Sequence, residues 1–506
     1  MSKEWMKDGT DTFLSTVISL NEKGIHLNEK DLDDAAKYTG LAEDYTLDRE
    51  YEKKFVRKID WYILPMVAAL MSCQLMDKTT NSYAALMGLR TDLNMSSKEY
   101  SWVGSSFYLG YLVFEYPAGL ALQKLPLSKT LSAAVIIWGI VLMCHAACQS
   151  AATFLLCRTL LGVFEGFMNP AYILLTSQWY KKEEQFMRTC FWYGSQGLGT
   201  LLGAAIAYGL KVHRDGEHSF ASWRLFYIIT GVITVFLGVA SMLHIPDLPV
   251  KAWFLNEEDK RCCVERARHN QQGFGNHRLK LPQLREAALD PTTYLIFIYA
   301  MTYAIPNGGL NNFGTILLNS DFGFSTTDSM LMNMPGGAID VVIPPLVAII
   351  NHKFLKDKRL ISMILVNLLC VLGTCLLIFT GPKGSRLAGY YIIYTSTTCM
   401  AGIASIVSSN VAGHSKKVAV STVFLIGYCA GNMIGPQTFV EAQAPDYIGA
   451  KTAMLVCYCV GAAAMAAMYV IYYTRNRKRG EPPAETGDLA FADLTDKQNP
   501  DFRYEL

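Results

Sequence analysis

Residues 154–180, FLLCRTLLGVFEGFMNPAYILLTSQWY, are long, apolar and aromatic-ended, the pattern of a membrane span. Two charges, Arg158 and Glu165, interrupt it. Seven residues make nearly two helical turns, so both side chains fall on one face, roughly 10 Å apart along the axis. A charge at the bilayer centre costs roughly 2.5–3.5 kcal/mol on insertion scales. That face must therefore look into protein or into a wet cavity. A structural ion pair to a neighbouring helix is one reading; a substrate or proton site is the preferred one.

Composition sets the class. The chain has 506 residues, 51% hydrophobic and only 17% charged, with a mean hydropathy of +0.20. Soluble domains carry roughly 25% charged residues, so an all-α integral membrane protein is expected. The net charge of +2 says nothing about partners, and no nucleic-acid partner is expected. Cysteines such as Cys144, Cys148, Cys157, Cys375 and Cys429 lie singly in apolar spans, where they act as small hydrophobes. Cys262 and Cys263 are adjacent, but no ligand spacing surrounds them, so no metal site is expected.

Apolar runs of about 18 residues or more give about twelve candidate helices. They fall at 60–82, 99–122, 130–150, 153–180, 189–211 and 224–245, then 292–318, 328–351, 359–381, 387–409, 418–440 and 450–474. The expected organisation is a polar N-terminal arm over 1–55, a six-helix bundle over 56–245, a hydrophilic central loop with a surface helix over 246–290, a second six-helix bundle over 291–475, and a tail over 476–506. The arm has no apolar core of signal-peptide length, so targeting falls to the first span. Lysine and arginine concentrate in the loops on one side, including Lys53, Lys54, Arg57, Lys58, Lys181, Lys182, Arg188 and the run Arg475–Arg479. Basic loops stay in the cytosol, which places both termini there. Asn94-Met95-Ser96 is a glycosylation sequon in the first outer loop.

The two halves echo each other. The fifth span carries Gly194, Gly197, Gly199 and Gly203, and the eleventh Gly427, Gly431, Gly435 and Pro436. Small residues four apart let helices approach closely, so Gly194, Gly203, Gly431 and Gly435 are read as gating or packing positions. Glu115 just before Pro117, and Asp340 just before Pro344, form a similar echo towards the cytosolic ends of their spans, as gate or helix-end partners. His145 reads as a structural histidine. Asn307, Asn311 and Asn312 follow Pro306 in a seventh helix expected to be interrupted, and read as cavity-lining amides. Tyr299, Tyr303 and Gln437 join them by position.

Six segments together resemble the major facilitator superfamily, and within it the fungal allantoate permease branch of the anion:cation symporters. They are DKTTNSYAALMGL (77–89), YSWVGSSFYLGYLVFEYP (100–117), RTLLGVFEGFMNPAYILLTSQWY (158–180), IPNGGLNNFGTILLNSDFGF (305–324), MPGGAID (334–340) and GPQTFVEAQAPDY (435–447). The resemblance covers about 55–475. It implies that Arg158 and Glu165 take the places of an arginine and glutamate implicated in substrate binding and proton coupling. It also puts Lys78, with Thr80 and Ser82, where the wider family has a basic residue of the first helix. Lysine lacks the planar fork with which arginine grips a carboxylate. The loop GLALQKLPLSK lacks the aspartate usual between the second and third helices, leaving Lys124 and Lys129.

The expected function is proton-coupled symport of a small organic anion: a carboxylate, ureido acid, vitamin or sulfur-containing acid. Lys78 and Arg158 supply intramembrane positive charge, with Asn307, Asn311, Tyr303 and Gln437 as further substrate contacts. Glu165 and Asp77 are the proton-coupling candidates. In the scheme drawn from these residues, protonation of Glu165 frees Arg158 for the substrate carboxylate. No enzyme motif of the HExxH kind occurs, and adjacent His414 and Ser415 do not make a triad. A non-transporting nutrient receptor of the same fold is the rival from another class. The fifth helix lacks a Gly-Pro pair of the antiporter kind, which favours symport. No cofactor is expected beyond the proton gradient as driving force. The lipid bilayer is the expected surrounding, the plasma membrane being favoured over the endoplasmic reticulum or vacuole, and the sequence leaves oligomeric state open.

Overall fold

The computed structural model describes residues 48–213, 220–269, 280–355, 358–480 and 494–506. Most of the N-terminal arm and parts of the central loop and tail lie outside the described residues. Among those described, the chain is all helix and turn, with no strand. The helices used below are α1 Arg49–Leu86, α2 Ser97–Lys124, α3 Leu127–Cys144, α4 Ala151–Glu165, α5 Met168–Trp179, α6 Lys182–Gly194, α7 Gln196–His213 and α8 Ser222–His244. Then come α9 Glu257–His269, α10 Leu281–Leu289, α11 Pro291–Ser320, α12 Met334–Phe354, α13 Arg359–Phe379, α14 Lys383–Ile393, α15 Thr397–Asn410, α16 His414–Gln437 and α17 Ile448–Arg479.

Nine helical stretches among the described residues are long and apolar enough to cross a membrane. The three other expected spans are helical as well, but more polar or split. They are α2, the pair α6 and α7, and α11 with its run of asparagines and glycines. Local chemistry starts the helices where they begin. Asp48 accepts from the amides of Glu50 and Tyr51 at the head of α1, Ser96 and Glu99 form a capping box on α2, and Asp290 caps α11 with Pro291 in its first position.

One expectation is corrected here. The seventh span, α11, runs unbroken through Pro306. An interior proline costs about 3 kcal/mol, but α11 is packed between α16 and α17, and that burial outweighs the missing hydrogen bond. The breaks fall elsewhere, at Gly166–Phe167 directly after Glu165, at Ser195, at Met332–Asn333, and at the 3-10 turn Tyr394–Ser396. Pro335, in the first turn of α12, marks the third of them.

The N-terminal and C-terminal halves meet where α2 packs on α16 and where α6 and α7 pack on α12. A Cβ on Gly197 would stand 2.0 Å from the Gly337 carbonyl of α12, so that crossing requires glycine. A Cβ on Gly194 would meet the same helix 2.9 Å from Asp340 O. Gly431 and Gly435 instead seat α16 on α11, where an added Cβ would stand 2.3 Å from Met301 O and 2.4 Å from Ile305 O. At Gly203 an added Cβ would meet Met76 Cγ at 3.4 Å, an ordinary contact, whereas at Gly199 it would stand 1.9 Å from Ser72 O, so Gly199 is the residue that lets α7 close onto α1.

On the side of the termini, charges lace the loops to the helix ends. Arg266 of α9 bridges Glu52 and Glu184, and Lys58 pairs with Asp259 at 2.7 Å. The acid missing from the loop between α2 and α3 comes from Asp247, 3.6 Å from Lys129. Residues 494–506 dock on the C-terminal half, where Lys416 holds Asp496 at 2.6 Å and Arg475 holds Asp290 at 2.8 Å.

Candidate functional site

Four charged side chains from α1 and α4 are buried together. Lys78 Nζ lies 3.0 Å from Glu165 Oε1, and Arg158 Nη1 lies 3.6 Å from Asp77 Oδ1. This corrects the expected link between Arg158 and Glu165. Seven residues of helix separate those two by roughly 10 Å, too far for an ion pair. Each reaches instead across to α1, where the neighbours Asp77 and Lys78 point about 100° apart and can serve one partner each.

The two pairs sit in different surroundings. Arg158, 1% exposed, is enclosed within the N-terminal half. It donates to the Tyr227 hydroxyl at 2.6 Å, and Tyr227 in turn donates to Asn81 Oδ1 at 2.8 Å. Trp138 Nε1 donates to the other oxygen of Asp77 at 2.9 Å. His145 is buried and stacks on Tyr227 at 5.1 Å, as a structural histidine would. Lys78 faces the junction of the halves, with its ammonium 5.8 Å from the Phe107 ring of α2 and 5.9 Å from the Tyr428 ring of α16. Breaking a buried pair by removing one partner typically costs about 3–5 kcal/mol, so each pair holds α1 to α4.

Beside this cluster lies a small cavity shared by both halves. Leu75 and Thr79 of α1 and Gln196 and Thr200 of α7 wall one side. The C-terminal half brings Asn307 and Asn311 of α11, Asp340 of α12, and Tyr394, Ser396 and Thr397 from the break before α15. Asn311 Nδ2 donates to Asn307 Oδ1 at 3.1 Å. Asp340 stands midway along the stretch Thr326–Phe354, at the cavity wall and not towards a helix end as expected. The reason is the break at Asn333, which starts α12 anew and turns its first two turns towards α7.

The cavity holds about 30 Å³, room for a water or two, since one water needs about 10–15 Å³ on this measure. An organic ligand needs roughly 300 Å³ or more. Bonds between the halves lie on both sides of it. Asn333 Nδ2 donates to Tyr83 OH at 2.9 Å and Tyr100 OH to Asn312 O at 3.0 Å, while Ser408 Oγ donates to Gln185 Oε1 at 2.7 Å nearer the termini. The conformation is closed around its centre.

Two expected contacts lie apart from this centre. Gln437 is exposed at the end of α16, where Nε2 donates to Ser105 Oγ at 3.0 Å. The last turn of α16 carries it to the rim, so it ties the halves together and does not line the cavity. Tyr303 is buried, its ring stacked between Tyr299 and Tyr428 at 6.5 Å from each. Glu115 is buried with Oε2 lacking a hydrogen-bond partner, in the half of α2 nearer the termini. Asn81, Trp138, Tyr227, Gln196, Thr200, Ser396 and Thr397 were missed from sequence. Only Asn81 had a signal, standing one helical turn past Asp77 in the quoted segment.

A family model described as Major Facilitator Superfamily matches residues 67–436. The chain is similar to the allantoate permease of Saccharomyces cerevisiae, at 42% identity over 97% of this chain and 93% of the relative. It is equally similar, at 42%, to a transporter of Schizosaccharomyces pombe, over 95% of this chain and 94% of the relative. A solved proton:xylose symporter shares the fold with a TM-score of 0.63 and 12% identity, covering 83% of this chain and 96% of that one.

Proposed function

Because the chain belongs to the Major Facilitator Superfamily, and so is a membrane transporter and not an enzyme, we propose that it carries a small organic anion into the cell by proton-coupled symport. The observation that carries this reading is Lys78, a buried cation at the junction of the halves whose charge is balanced by the titratable Glu165. A substrate carboxylate competes with Glu165 for the Lys78 ammonium. Protonation of Glu165 removes that competitor, so anion and proton bind together. Arg158 keeps α4 in place from within the N-terminal half and is not itself released.

Alternating access then follows from rocking two six-helix units, 56–245 and 291–475, about the shared centre. The crossings at Gly197 and Gly194 are close enough to act as its fulcrum. Allantoate, named for the yeast relative, has the required carboxylate and leads the candidate substrates. The plasma membrane is the proposed home, with the proton gradient as driving force.

Uptake of labelled organic anions into cells without their own carriers, at pH 5 and pH 7, tests the reading. Wild type accumulates at least one anion faster at pH 5. Lys78→Ala lowers that uptake by about 10- to 100-fold at equal membrane level, the value of a charge-assisted contact. Accumulation indifferent to both pH and Lys78→Ala overturns it.

A further inference from the structure

Among the described residues, no lysine or arginine pairs with the buried carboxylate of Asp340. It is 3% exposed, its Oδ1 has no hydrogen-bond partner among the described residues, and Thr397 lines the same cavity. No lysine or arginine lines its cavity. Such a group is costly where it stands, and asparagine would fill the same space without a charge. An aspartate there is explained by something that enters the cavity and donates to it.

The chemistry of that donor follows from what surrounds Asp340. An ionised carboxylate only accepts hydrogen bonds. Asn307 and Asn311, on the facing helix, can both donate and accept. Leu75, also on the cavity wall, stands three residues before Lys78 and so on the same face of α1. A molecule whose carboxylate is held at Lys78 therefore extends its other end towards Asp340. A second carboxylate at that end would meet like charge in a poorly solvated place, whereas N–H groups would satisfy the orphan oxygen.

We propose that Asp340 is a specificity-determining residue: it accepts hydrogen bonds from N–H groups at the end of the carried anion remote from its carboxylate. The substrates are then organic anions bearing a ureido, amide or ammonium group, and dicarboxylates are rejected. This rests on the transport reading above for the position of the substrate carboxylate.

The test compares an N-carbamoyl amino acid with a plain carboxylate of the same length and with a dicarboxylate. Asp340→Ala lowers the ratio of N-carbamoyl to plain-carboxylate uptake at least about tenfold, and Asp340→Asn raises relative uptake of the dicarboxylate. A purely structural or proton-carrying aspartate would lower all three together and leave the ratios fixed; that result overturns the assignment. Thermal stabilisation of the purified protein by the N-carbamoyl compound supplies a readout without transport. Wild type is stabilised and Asp340→Ala is stabilised less. If wild type takes up no anion but this difference holds, transport is wrong and the site stands; equal stabilisation, or none in either protein, sinks the site.

Discussion

On the N-terminal side of the centre, four charges from α1 and α4 pair two by two. On the C-terminal side a single carboxylate, Asp340, stands among amides and hydroxyls with no cation lining its cavity. The halves share an architecture of echoing helices, yet they bring opposite chemistry to the place where they meet. An ion pair can hold helices together or lend one member to a ligand. Asp77 with Arg158, hemmed in by Trp138 and Tyr227, suits the first use. Lys78 with Glu165, at the junction of halves, suits the second. On the transport proposed above, one half recognises negative charge and the other the remainder of the substrate.

The contrast between the two pairs breaks or holds on Arg158→Ala. Removing the guanidinium leaves Asp77 buried with Trp138 as its remaining donor, and destabilises the fold by about 3–5 kcal/mol. Thermal melting and membrane level should both fall. Adding Asp77→Asn to Arg158→Ala should recover part of that stability, because no uncompensated charge is left behind. If Arg158→Ala melts like wild type and loses only uptake, Arg158 belongs to the substrate site and the division of labour is wrong.

A smaller effect is expected at the outer rim, where Asp321 pairs with Lys451 at 2.9 Å and with Arg386. Burial alone would raise its carboxyl, but hydrogen bonds from Lys451 and Arg386 outweigh this and hold it below the usual aspartate range. A depressed folded value means that its stabilisation is complete above the ordinary aspartate pKa of about 3.9 and is lost as pH falls through the lower folded value. Asp321→Asn should therefore cost about 1–3 kcal/mol equally at pH 7 and pH 5, by thermal melting, with the difference shrinking only in stronger acid. A difference already shrinking between pH 7 and 5 would make the rim a rival source of any acid dependence in uptake.

Much of the scaffold was legible because hydrophobic length and charge bias act locally. Residues 154–180 announced buried charge, and α4 with α5 delivers it. What sequence could not supply was partnership. Spacing placed Arg158 and Glu165 on one face but said nothing of the facing helix, where Asp77 and Lys78 divide them. Proline also misled: Pro306 stays inside a continuous α11, while the break at Asn333 is followed by Pro335 and the one at Tyr394–Ser396 carries no proline. The cavity is a product of the tertiary fold, its Thr200 being an ordinary residue far along the chain from Ser396 and Thr397. Asp340 was noticed for its proline neighbour and misplaced, since only the tertiary fold puts the middle of that stretch at the centre.

Glu165→Gln tests the central claim most directly, because it removes the titrating group while keeping its shape. Accumulation of labelled anion against a gradient and exchange of labelled for unlabelled anion across vesicles would be measured at pH 5 and pH 7. The account predicts that accumulation and its pH dependence disappear while exchange continues, since Lys78 no longer has a charged competitor and no proton is carried. Acid-stimulated accumulation as strong as wild type would contradict it.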